Sequence, residues 1–125
     1  MSITLLPYSA VRNNSDGLPP NLNLNDYCQI NAASSYYMRV EGSSMEGIGI
    51  FHEDIIHVDR SLTAQQGDIV VASLNGGFVI KELQNFPRVA LLSYNTLNPP
   101  HYVSDRDAFE IFGVVLSVIR LIKRS

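Results

Sequence analysis

Two serines, Ser43 and Ser44, stand side by side in "VEGSSMEGIGIF" (residues 40–51), between Gly42 and Met45. A serine hydroxyl attacks a carbonyl only when a neighbouring group takes its proton. In a Gly-rich turn its ordinary part is to hydrogen-bond nearby backbone. Histidine is the usual base, and the chain has three, His52, His57 and His101. None falls in a recognisable triad pattern. His57 alternates inside "DIIHVD" on a predicted strand, and His52 and His101 read as loop residues. His52, Asp54 and His57 could imitate a metal site, but Asp54 and His57 are three apart on that strand and point to opposite faces. No metal and no cofactor is expected.

The other base open to a serine is a lysine kept neutral by burial, because desolvation disfavours the ammonium form. Lys81, in "GGFVIKELQ", is the candidate. Val79, Lys81 and Leu83 share one face of a predicted strand, with Phe78 and Ile80 on the other. Either these apolar neighbours desolvate the amine, or the strand is an edge and Lys81 is a solvated guard against edge-to-edge pairing. Local sequence leaves both open.

The elements that must position these residues are mostly strands. "YYMRV" (36–40), "DIIHVD" (54–59), "DIVVASL" (68–74), "GFVIKEL" (77–83), "RVALLS" (88–93) and the run 109–122 are mostly rich in Val, Ile and aromatics. Asn75-Gly76-Gly77 is a tight-hairpin signal, since these residues accept positive φ. No sustained helical period appears, and at most a short helical turn is expected over 26–31 or 42–47. Residues 1–25, rich in Asn, Pro and Ser, read as an extended N-terminal arm, and 26–125 as a compact β domain.

Composition sets the outer limits. At 125 residues with 46% hydrophobic content the chain has the size and apolar content of one folded domain. A net charge of −3 argues against a surface built to grip nucleic-acid phosphates. The single Cys28 excludes an intramolecular disulfide and is expected as a buried thiol in a reducing, cytoplasmic setting. "MSITLLPYSAV" lacks the charged start of a secretory signal. The apolar run 111–122 is interrupted by Arg120 and is too short to cross a membrane.

Taken in order, "VEGSSM", "EDIIHVD", "QQGDIVVASLNGGFVIKEL" and "AFEIFGVVLSVIR" resemble the self-cleaving serine peptidases of the LexA and UmuD group. That group carries a Gly-x-Ser-Met loop, a Gly-Asp-(Ile/Leu)-Val strand, a Val-x-Lys strand and a terminal Gly-Val-Val strand. The 37 positions from Ser44 to Lys81 match its spacing. The likeness covers residues 23–122 and implies a LexA/UmuD C-terminal-domain-like β fold. With 43 residues before Ser44, no helix-turn-helix domain is expected, which favours the UmuD branch over a repressor.

The resemblance separates the twin serines. It implies Ser44 as nucleophile, Lys81 as general base, and backbone N–H groups of Ser44 and its neighbours as the oxyanion hole. It further implies a homodimer that serves as an SOS-response accessory subunit of a Y-family translesion polymerase (UmuC-like). A RecA filament on single-stranded DNA would promote cleavage of the chain's own arm. No sequence-specific DNA binding and no membrane contact are implied. Two departures stand out. The group cuts Ala-Gly or Cys-Gly, and neither dipeptide precedes Ser44, so Asp16-Gly17 is the nearest analogue. Either that bond is cut, or the chain resembles the already processed form. Glu53 also stands where Gly usually precedes Asp54. The alternatives are a non-cleaving dimeric interaction module, or the peptidase half of a LexA-type repressor.

Overall fold

The computed structural model describes residues 23–122. The Asp16–Gly17 bond, and the expected arm apart from 23–25, lie outside these residues. Two units meet in sequence between Asn31 and Ala32. In the first, Asn23 caps a four-residue helix, α1 (Leu24–Tyr27), its side-chain oxygen accepting from Asn25 N at 2.9 Å. No residue of α1 is buried. Cys28, at its C-terminal cap, is only partly buried rather than the core thiol expected, because so short a helix has no apolar face to shelter it.

The second unit is an antiparallel sheet of seven strands, so the mostly-β expectation holds. The strands are β1 (Ser35–Arg39), β2 (Ile55–Asp59), β3 (Ile69–Leu74), β4 (Gly77–Gln84), β5 (Ala90–Leu92), β6 (His101–Tyr102) and β7 (Phe109–Ile119). Their order is β1-β2-β7-β3-β4-β5-β6. β7, the longest, lies between β2 and β3 and pairs with both. Its apolar run does not alternate simply because Phe112 and Val115 pack against one core cluster while Phe109, Ile111, Val114 and Leu116 serve the other. The registers Val58↔Val115 and Val71↔Gly113 each sit beside a bulge. A Cβ on Gly113 would come within 2.7 Å of Val58 Cγ1 and 2.9 Å of the Asp59 carbonyl. Close backbone approach thus explains the glycine in Gly-Val-Val.

The β3–β4 hairpin turns as its sequence predicts, with Asn75 at φ 51° and Gly76 at φ 89°. Alternation along β3 feeds two cores. Val71 joins Val40, Met45, Ile50, Ile56 and Val58. Val70 and Ala72 join Leu83, Leu91 and Val114. β6 is an addition to the expected set. Pro99 and Pro100 precede it and disguise it as loop, so His101 lies in a strand, paired with Leu91.

Candidate serine–lysine site

The site is assembled where the sheet leaves a gap. The β1–β2 connection is closed at its base by Val40 N to Asp54 O and Glu53 N to Val40 O, both 2.8 Å. Within it Met45, 2% exposed, is driven into the first core, and a 3-10 turn follows over Glu46–Ile48. Anchoring Met45 fixes the residue before it. Ser44 is half-buried, while Ser43 is exposed and uses its carbonyl to accept from Asn95 Nδ2 at 3.3 Å. Among the described residues, the backbone N–H groups of Ser44 and Met45 have no acceptor.

Lys81 comes from β4, opposite Val70 of β3. It is half-buried, and burial pushes its amine below the usual lysine value. Of the two readings left open by local sequence, desolvation describes it and a fully solvated guard does not. Its Nζ donates to Ser93 Oγ at 2.7 Å. Ser44 and Lys81 line one cavity of about 330 Å³. Met38, Met45, Phe78 and Val79 supply part of its apolar wall, and Arg39 and Glu41 also line it.

Between the two halves runs a segment that sequence reasoning missed. β4 and β5 pair in the register Glu82↔Leu92, and one step further the same register sets Ser93 beside Lys81. There the chain leaves β4 and takes up the serine loop. Tyr94 N donates to Ser44 O at 2.7 Å, and Gly47 N donates to Tyr94 O at 2.8 Å. The Tyr94 hydroxyl donates to Glu82, which raises the phenol's pKa. A Cβ on Gly47 would stand 2.5 Å from the Tyr94 carbonyl oxygen, so this seat accepts glycine alone without a shift. The only sequence signal for Ser93 is its position at the end of the predicted strand 88–93, and no pattern in residue type marks it.

The other candidates are committed elsewhere. His57, fully buried, shares a 2.7 Å hydrogen bond with Ser35. His52 accepts from Gly42 N at 3.2 Å, and His101 bonds Asp107 at 3.1 Å. Asp54 binds Arg120 through two 2.6 Å hydrogen bonds, and this pairing holds its carboxyl below the usual range despite burial. Arg120 also donates to Gly49 O at 2.8 Å, which ties the loop after Ser44 to the end of β7.

A Peptidase S24-like family model matches residues 7–116. The chain belongs to this family. Among S24-like relatives, Protein MucA of Salmonella typhimurium is 44% identical over 95 residues, 75% of this chain. The chain spans 65% of the length of MucA. Protein SamA of Salmonella typhimurium strain LT2 is 38% identical over 105 residues, 84% of this chain and 73% of SamA. The LexA repressor of Bordetella avium is 36% identical over 89 residues, 70% of this chain and 42% of the repressor. The likeness to the LexA and UmuD group therefore holds, and the S24-like match includes both Ser44 and Lys81. Among the described residues, no helix is long and apolar enough to cross a membrane.

Proposed function

We propose that this S24-like chain is a UmuD-like accessory subunit of the SOS response with a serine–lysine self-cleavage site. The observation that carries the chemistry is one cavity lined by both Ser44 and a lysine whose amine is depressed by burial. Neutral Lys81 takes the Ser44 Oγ proton as Oγ bonds to a peptide carbonyl carbon. The oxygen of the tetrahedral intermediate is held by the N–H groups of Ser44 and Met45, which have no other acceptor among the described residues. Collapse breaks the C–N bond, and the lysine proton passes to the leaving amine. Water, deprotonated by Lys81, then releases the acyl group from Ser44. The substrate is a segment of the chain itself, so effective concentration replaces affinity.

From the UmuD likeness we take the rest of the reading. The protein is a cytoplasmic homodimer that joins a UmuC-like Y-family polymerase, and a RecA filament on single-stranded DNA promotes presentation of the arm. A second reading, a dimeric interaction module that does not cut, is favoured by one observation, that no Ala-Gly or Cys-Gly precedes Ser44. Intact-mass measurement separates the two. The purified chain is incubated at alkaline pH, and separately with RecA, single-stranded DNA and nucleotide. Loss of an N-terminal fragment, abolished by both Ser44→Ala and Lys81→Ala, is the expected result. An unchanged mass in every condition leaves the interaction module. Copurification with a cognate Y-family polymerase tests the partner independently.

A further inference from the structure

We infer that Ser93 is a positioning residue of the serine–lysine site, one that aims the Lys81 amine at Ser44 and balances its two protonation states. The inference rests on the proposed cleavage chemistry and adds a residue to it. A neutral amine has one lone pair and two N–H bonds, and only the lone pair can receive the serine proton. With a single tether, the aliphatic stem, the lone pair can turn in any direction. The 2.7 Å bond from Nζ to Ser93 Oγ removes that freedom by assigning one N–H to a fixed acceptor.

The acceptor is itself well held. Ser93 follows β5 directly, and its neighbours bond to the opposite half of the site. Tyr94 main chain binds Ser44 and Gly47, and Asn95 binds the Ser43 carbonyl. One tripeptide thus touches the lysine with its first residue and the serine loop with the next two. The distance between the halves is then set by a continuous stretch of backbone rather than by independent contacts.

The hydroxyl also acts on the proton. Ser93 accepts from Lys81, and a donor bond from an ammonium is stronger than one from an amine. Ser93 therefore favours the charged form and opposes the burial that favours the neutral one. The charged groups that line the same cavity are Arg39 and Glu41. Glu82, the next residue on β4, is occupied by the Tyr94 hydroxyl. Burial is what lowers the amine's pKa, with no carboxylate or guanidinium as cause.

The test compares Ser93→Ala and Ser93→Thr with the parent chain in the pH dependence of self-cleavage. Ser93→Ala should cut about tenfold more slowly at its plateau, with the acid limb of its profile moved to lower pH. Ser93→Thr, which keeps the acceptor, should restore both. A role in folding alone would lower the rate without moving the limb. A Ser93→Ala profile with its limb unmoved or moved to higher pH overturns the inference. The lysine is also titrated directly, by ¹³Cε NMR of full-length chain in the Ser44→Ala background. The Lys81 midpoint should fall in Ser93→Ala and return in Ser93→Thr, and an unchanged midpoint overturns the inference. If the parent chain never cuts, the cleavage reading fails while this titration still decides the Ser93–Lys81 coupling.

Discussion

At the scale of single residues, what distinguishes Ser44 from Ser43 is the residue that follows. Met45 buries and turns Ser44 inward, whereas Ser43 is left in solvent with only its carbonyl engaged. Residue type brought out the serine pair and Lys81 as candidates, because a base for serine must be one of few side chains. Only the family resemblance chose Ser44 over Ser43 and Lys81 as its base. Ser93 was not legible, since its contact with Lys81 exists only once β4 and β5 settle in register. Glu53 is a different kind of residue-scale feature. It adopts φ 72°, in the left-handed region that a side chain with a Cβ resists. The departure from the group's glycine thus marks a strained position. Glu53→Gly should relieve that strain and be offset in part by a freer unfolded chain, for a net gain of about 0.5–1 kcal/mol. Urea unfolding at neutral pH checks it, and a loss of stability would contradict the strain.

Elements decide whether the two halves meet. The strands were readable because most have β-branched or aromatic runs bounded by turns, and the Asn75–Gly76 hairpin because its two residues accept positive φ. β6 was hidden by Pro99 and Pro100, and its two residues are too few to show a period. The seating of the serine loop on Tyr94 was equally hidden, as it depends on backbone groups that every residue carries. Its sensitive point is Gly47. Adding a methyl there places carbon 2.5 Å from the Tyr94 carbonyl oxygen, the same atom that accepts the Gly47 N–H. Neither backbone can yield as a side-chain tip could, so the loop must lift. Gly47→Ala should therefore slow phosphonylation of Ser44 by a fluorophosphonate probe, in which Oγ bonds to phosphorus and fluoride leaves, about 10–100-fold, since displacement of about 1 Å at a reacting centre has that effect. Stability should fall by only about 1–2 kcal/mol. Probe labelling followed by intact mass reads the first, and thermal unfolding the second. Equal labelling of the variant and parent would show that the loop's seat does not govern the serine.

For the whole molecule, the site is a cost that appears in the pH dependence of folding. Among the described residues, three carboxylates hold values below their unfolded ones. Asp54 does so through Arg120, Asp59 through Ser61, and Asp107, at about 2, through Asn75. Each contributes stability above the unfolded value near 3.8 that is lost as pH falls through the folded one. Lys81 acts in another window. Its folded value lies below 10.5, so between the two values the unfolded chain binds more protons and stability rises with pH. Tyr94 reverses the trend above its unfolded value of 10.0, because its folded phenol holds its proton longer. Replacing Lys81 by methionine keeps the stem's bulk and removes the charge that burial disfavours. Lys81→Met should be more stable than the parent chain at pH 7 by on the order of 1 kcal/mol, a modest gain because the amine is only half-buried. The gain should shrink as pH rises through the folded value. There the parent's lysine is neutral in the folded chain while still protonated in the unfolded one, so the parent gains stability. Urea midpoints of both proteins from pH 6 to 10 measure it. A difference that stays constant across that range would mean that Lys81 keeps its charge in the folded chain, and the base proposed for Ser44 would be lost with it.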